Sequence, residues 1–198
     1  NPLSSNVVTV SVESATVDVA SSQVQVTSPH RADGMDAAAI TVTIRDQYDN
    51  PLPGRQVLLI SSGISNTITA PAGPTDENGM AVATMTSTRP EAKSLQVLAV
   101  DWTGTYRLRR MPIVVFTGAS ITGTVFLDLD QDGTRDADEK GIGGIPVRLY
   151  NPSSMLLEQV TSTPDGGYAF TGLAGGSYQV ATTLLPEFAA SGMQTTTV

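Results

Sequence analysis

The sequence predicts an all-β chain built as two antiparallel β-sandwich domains in tandem, and three observations carry that expectation. Apolar residues alternate with polar ones over short runs, the period of half-buried strands. Clusters of Asp, Asn, Pro and Gly separate the runs, residues that set φ or cap the backbone locally. The pattern restarts near residue 119 after a first set of strands long enough to close a sandwich, which places the domains at 1–118 and 119–198. Charged residues make up 15% of the chain and aromatics 5%, with Val, Thr, Ser, Ala and Gly abundant, a mixture that favours strands and turns over helices.

In the first domain the strands read in order as "VVTVSV", "SQVQVT", "AITVTIRD", "QVLLIS", "MAVATMTS", "SLQVLAV" and "MPIVVF". In "AITVTIRD", Ile40, Val42 and Ile44 share the core face, and Thr41, Thr43 and Arg45 the other. The stretches "DQYDNPLPG" and "DENG" are the intervening turns. "YRLRR" reads as a further strand with Arg107 and Arg109 on one face, guarding an edge against pairing, or forming a patch for an anionic ligand or an acidic neighbour. Trp102, in "DWTGTY", is expected in core or turn packing, with a sugar-stacking platform as the alternative. His30 is the only histidine; in "SPHRADG", without a G-x-S-x-G context, it reads as a solvated loop residue and not as a catalytic base.

The second domain opens with the strand "ITGTVFLD", whose Ile121, Gly123, Val125 and Leu127 form the expected core face. About seven residues of strand cover ~23 Å, which carries the next loop away from the first domain. That loop, "DLDQDGTRDADE", holds six acidic residues in twelve. Its spacing fits D-x-[DN]-x-[DN]-G-x5-E throughout. Alternate residues of such a curled loop aim oxygens inward, and Gly133 makes the sharp turn. The Thr134 carbonyl joins, and Glu139 closes the shell. Magnesium demands a tighter octahedron, so calcium is the better fit. "TGTVFL" before the loop and "GIGGIPVRLY" after it disfavour helices, so the loop joins two strands and acts as a clamp more than as a sensor. Downstream, "GIPVRLYN" alternates, Tyr168 and Phe170 share one core face, and Tyr178 and Val180 another.

The formal charge of −8 is uneven: residues 1–117 hold ten acids and eight bases, residues 118–198 nine acids and three bases. An acidic surface without a basic stripe excludes nucleic-acid binding. No cysteine is present, which removes disulfides, thiolate metal sites and cysteine nucleophiles together. The longest apolar run, about Pro112 to Phe116, is far short of the ~20 residues of a membrane span. A start at Asn1 and an end within strand-like "QTTTV" read as an excised piece of something longer.

Two resemblances follow from these motifs. "ADGMDAAAITVTIRDQYDNPLPGRQVLL" followed by "TDENGMAVATMTST" resembles the invasin/intimin-type bacterial Ig-like domain, over about residues 20 to 117. That resemblance implies a rigid, non-catalytic spacer in a surface protein. "GTVFLDLDQDGTRDADEKGIGGIPVRLY" followed by "TPDGGYAFTGLAGGSYQV" closely resembles the B domain of serine-aspartate-repeat surface proteins, a relative of the collagen-adhesin B-type, prealbumin-like sandwich. It implies calcium-dependent rigidity in a cell-wall-anchored stalk. Carried over by position, the ligands are Asp128, Asp130, Asp132, the Thr134 carbonyl, Asp136 and Glu139, with Asp138 as an outer-shell acid. A Lys to Asn/Asp isopeptide bond of the kind some relatives form is not expected, because "ITGTVFLD" contains no lysine.

The expected function is a structural spacer of a secreted or cell-surface, adhesin-like bacterial protein, stiffened by Ca2+ in the 128–139 loop and not an enzyme. Its partners would be neighbouring modules of the longer chain and a host or cell-surface protein or glycan. An accessory glycan-binding module of a carbohydrate-active enzyme and a self-assembling fibre subunit are the alternatives.

Overall fold

The computed structural model describes residues 15–182 and 194–197, and every regular element among them is a strand. In chain order these are β1 (Gln23–Val26), β2 (His30–Arg31), β3 (Ala38–Thr43), β4 (Gln56–Ser61), β5 (Asn66–Thr69), β6 (Met80–Ser87), β7 (Ala92–Asp101), β8 (Gly104–Arg107) and β9 (Ile113–Thr117). They continue with β10 (Ala119–Thr124), β11 (Pro146–Tyr150), β12 (Leu156–Thr161), β13 (Gly167–Leu173), β14 (Ser177–Thr182) and β15 (Gln194–Thr197). The first nine form two sheets, ordered β1-β3-β6-β5 and β2-β9-β7-β4, with β8 paired to β7. The last six form β10-β13 and β12-β11-β14-β15. The chain is all-β. The expected strand "VVTVSV" lies outside the described residues.

Alternation is obeyed where it was clearest. Along β3, Ala38, Ile40 and Val42 are fully buried, and Ile44 just beyond the strand is as well, while Thr41 and Thr43 are half-buried. Leu95, Val97 and Ala99 of β7, with Val114 and Phe116 of β9, belong to the same buried cluster. Each of the buried Ile, Val, Leu and Phe side chains contributes ~1.5–3 kcal/mol. Carboxylates shape the connecting turns. Asp46 accepts the amides of Tyr48 and Asn50 at 2.9 Å each, and Asp76 those of Asn78 and Met80. At Gly79 φ is +72° and a Cβ would stand 2.5 Å from the Ile44 carbonyl, so both the conformation and the close approach require glycine.

The second cluster joins Ile121, Val147, Leu149, Phe170, Leu173, Tyr178 and Val180, with Val125, Val160 and Tyr168 packed against it. Tyr168 meets Phe170 edge-on at 6.0 Å between ring centroids. Leu127 is exposed, unlike Ile121 and Val125: β10 ends at Thr124, and beyond it the chain turns into the acidic loop. Strand β12 is an edge of its sheet, and Met155, Leu156 and Leu157 are exposed along it. Its register against β11 shifts so that Leu149 faces Glu158 while Tyr150 faces Leu156, leaving Leu157 as a bulge.

His30 departs from its expected setting, while the arginines and Trp102 near β8 do not. His30 is not a solvated loop residue: its side chain is 15% exposed, in β2, held by Thr27 Oγ1 at 2.7 Å and Asp36 Oδ1 at 2.8 Å. Since Asp36 only accepts, Nδ1 donates to it, and Nε2 is within hydrogen-bond reach of Thr27 Oγ1. Thr27 Oγ1 also takes the Ala39 amide, so the chain of bonds closes the segment between β1 and β3. Strand β8 ends at Arg107; Arg107 and Arg109 are both exposed with Leu108 buried between them, the alternation expected of side chains on one face, and Arg107 donates to Met111 Sδ. Trp102 lies in the turn between β7 and β8, 75% exposed, outside the core.

Candidate metal site

The acidic loop is closed at its base before any ion is considered. Past β10, the Val125 amide donates to Gly166 O at 2.8 Å, Ile142 N to Val125 O at 2.8 Å, and Leu127 N to Lys140 O at 3.0 Å. Phe126 and Gly141 form an antiparallel bridge between those bonds. The base is packed so closely that a Cβ on Gly141 would lie 1.9 Å from the Asp165 carbonyl. Two strand ends are thereby pinned side by side, and residues 128–139 form the excursion between them.

Within the excursion, backbone amides turn the carboxylates. Gly133 N donates to Asp128 Oδ2 at 3.1 Å, Asp132 N to Asp130 Oδ1 at 3.2 Å, and Thr134 N to Asp132 Oδ1 at 2.6 Å. Gln131 and Gly133 have left-handed φ of 63° and 77°, which curls the chain tightly. Glu139 is buried, at 4% exposure; its Oε1 accepts Leu129 N at 2.7 Å and its Oε2 accepts Asp136 N at 3.1 Å. A carboxylate held by an amide at each oxygen is fixed in orientation, as a closing ligand must be.

Asp128, Asp130 and Glu139 each offer a carboxylate oxygen, and these atoms lie within 4.8 Å of one another. Like charges at that separation repel by about 1 kcal/mol per pair even in water. Asp128 Oδ1 is buried and has no hydrogen-bond partner, and an orphaned buried carboxylate oxygen is costly unless a cation meets it. The donor set is all oxygen, which suits calcium. Of the six residues expected as ligands, these three come together. Asp132 and Asp136 stand outside the group, Asp132 engaged with Thr134 N and Asp136 with Glu139 through both its backbone N–H and C=O. Arg135 donates from Nε to Glu139 O at 3.2 Å, a contact the spacing motif did not signal.

A second group of charges is buried in the first half, and sequence reasoning missed it. Lys93 is fully buried, donating from Nζ to Ile64 O at 2.7 Å and to Glu91 Oε1. That bond from Lys93 is the largest of the effects holding the Glu91 carboxyl below its usual range. Arg55 and Asp101 form another pair, Nε to Oδ2 at 3.6 Å, with side chains 16% and 2% exposed. Burial opposes ionisation of Asp101, but hydrogen bonds from Thr103 and Gly104 and the Arg55 charge outweigh it, leaving the pKa lowered. Neither pair approaches the acidic loop's chemistry: each joins a cation to its own anion.

Comparison with known proteins assigns each half. Residues 20–106 match the bacterial Ig-like domain (group 1), and residues 119–197 match the SdrD B-like domain. The chain pairs a bacterial Ig-like domain with an SdrD B-like domain. Serine-aspartate repeat-containing protein D of Staphylococcus aureus (strain Newman) is 43% identical over 56 residues, 28% of this chain and 4% of that protein. Serine-aspartate repeat-containing protein C of the same strain is also 43% identical over 56 residues, 6% of its length. The chain therefore spans only a small part of these relatives. Among solved structures, invasin, titled a bacterial integrin-binding protein, aligns at 18% identity over 93% of this chain and 41% of its own, with a TM-score of 0.49. InvD of Yersinia pseudotuberculosis aligns at 15% identity over 88% of this chain and 58% of its own, with a TM-score of 0.48. The acidic loop lies in the B-like domain, between its first two strands.

Proposed function

We propose that the chain is a non-catalytic spacer segment of a bacterial cell-surface, adhesin-like protein, with calcium bound in the 128–139 loop stiffening the B-like domain. The observation that carries the metal is the convergence of Asp128, Asp130 and Glu139 oxygens around a buried, unpartnered Asp128 Oδ1. The two family matches support the surface setting. Calcium would supply the positive charge that the converging carboxylates lack. The chain's own part is to hold Glu139 with the amides of Leu129 and Asp136 and to pin the loop base at Phe126 and Gly141. At free calcium about 100 times the dissociation constant, binding stabilises the folded domain by ~2.7 kcal/mol. Asp132, the Thr134 carbonyl and Asp136 complete the shell in this reading. Neighbouring modules of the longer protein are the immediate partners, and a host or cell-surface protein or glycan would be met by the assembled stalk.

Calorimetric titration of calcium into chelator-stripped protein tests the site. Saturable binding in the parent, lost in both Asp128→Ala and Asp132→Ala, is expected. An absence of heat at millimolar calcium, with the protein folded, would reduce the loop to a solvated acidic turn.

A further inference from the structure

We infer that the joint between the Ig-like and B-like domains is locked by backbone-to-backbone packing at Gly118 and Gly175, and keeps one geometry whether or not the acidic loop holds calcium. The inference rests on the spacer reading of the chain but not on metal binding.

A single residue, Gly118, separates β9 from β10. Neither Gly118 nor Gly175 has a left-handed φ, so backbone conformation does not demand glycine at either position. Space does. A Cβ on Gly118 would stand 2.4 Å from the Gly172 carbonyl carbon and 2.5 Å from its Cα, and a Cβ on Gly175 would stand 2.8 Å from Asp33 Cα. Those obstacles are main chain, which cannot swing aside as a side-chain end does.

The hydrogen bonds run through one residue. Ala32 N donates to Thr117 O at 2.9 Å, and Ala32 O accepts Gly175 N at 3.1 Å. The segment bearing Ala32 thus grips the end of β9 on one side and the turn between β13 and β14 on the other. That segment is itself held in place. Thr117 Oγ1 donates to His30 O, Arg31 N to Asp36 Oδ2, and Met35 N and Asp36 N to Asp33 Oδ1. The His30 ring spans Thr27 and Asp36 across the same stretch. On the linker's other side, Ala119 pairs with Leu173. Every element meeting at the joint is therefore fixed by bonds independent of residues 128–139. The acidic loop follows the far end of β10, six residues or ~20 Å along the strand, too far to touch this contact.

Electron–electron distance measurement on spin labels tests the joint in the whole chain. The protein has no cysteine, so Glu77→Cys and Glu158→Cys, both at exposed positions, label one site in each domain. The parent pair is expected to give one narrow distance distribution, the same in calcium and in chelator. Gly118→Val and Gly175→Val are each expected to broaden or shift it while circular dichroism retains the β signature. A parent distribution that is broad in chelator and narrows only on adding calcium would overturn the inference. So would a narrow distribution left unchanged by both glycine substitutions. Failure of calorimetric calcium binding would remove the metal clamp and leave this result standing, so the two readings fail separately.

Discussion

Phe170→Ala probes how little holds the B-like domain together. Phe170 is fully buried in a cluster of seven buried residues, against eighteen in the Ig-like cluster, counted among the described residues. Truncating a core phenylalanine costs ~3–5 kcal/mol, the upper end where neighbours cannot collapse into the space. Here the void would be walled by Tyr168 and by a small set of β-sheet residues fixed in register. A domain of about 80 residues is stable by only ~4–12 kcal/mol, and each kcal/mol shifts its melting temperature by ~4–8 °C. The substitution should lower the melting of the B-like domain by on the order of 20 °C in chelator. Saturating calcium should restore part of that loss, ~2.7 kcal/mol at 100 times the dissociation constant. Differential scanning calorimetry reads both, with Phe116→Ala as the counterpart that should move only the Ig-like transition. One cooperative transition displaced equally by either substitution would refute the premise of two separate cores.

Other expectations follow from single residues. Gly79→Ala should destabilise the Ig-like domain by more than ~1 kcal/mol in chemical denaturation, because φ is +72° and the Ile44 carbonyl blocks the Cβ. Trp102→Ala should leave stability within ~0.5 kcal/mol, as expected for an exposed side chain; a larger loss would show unseen packing. Acid should weaken the Ig-like domain through Asp18, Asp33, Asp36 and Asp46. Each is held below its usual range by hydrogen bonds, led by Ser21 N for Asp18, Asp36 N for Asp33, Arg31 N for Asp36 and the Asn50 side chain for Asp46. A depressed folded pKa means this stabilisation is complete above about pH 4 and is lost as pH falls through the folded values. Denaturation midpoints that stay flat from pH 5 to 2 would contradict that assignment.

Much of the fold was legible because the buried faces alternate without interruption, as β3 shows with Ala38, Ile40 and Val42 inside. Strand β12 carried no such signal. Leu156, Leu157, Glu158 and Gln159 are all exposed, so an edge position and a bulge erase the period-two pattern. The acidic loop was legible since its carboxylates are local in sequence. The His30 network was not: its partners Thr27 and Asp36 flank it at separations of three and six residues that follow no motif, and the burial comes from β9, remote in the chain. Lys93 escaped for a related reason. The backbone carbonyl of Ile64, far upstream, joins the Glu91 carboxylate in making full burial of an ammonium tolerable.

The bulge at Leu157 has a bearing on how the chain avoids pairing with its own copies. An open edge lined with Met155, Leu156 and Leu157 invites a second copy to add a strand and continue the ladder. The extra residue breaks the spacing after Leu156, so an incoming strand in regular register loses its bonds within one residue pair. Deleting Leu157 would straighten that edge and make strand addition by a second copy easier.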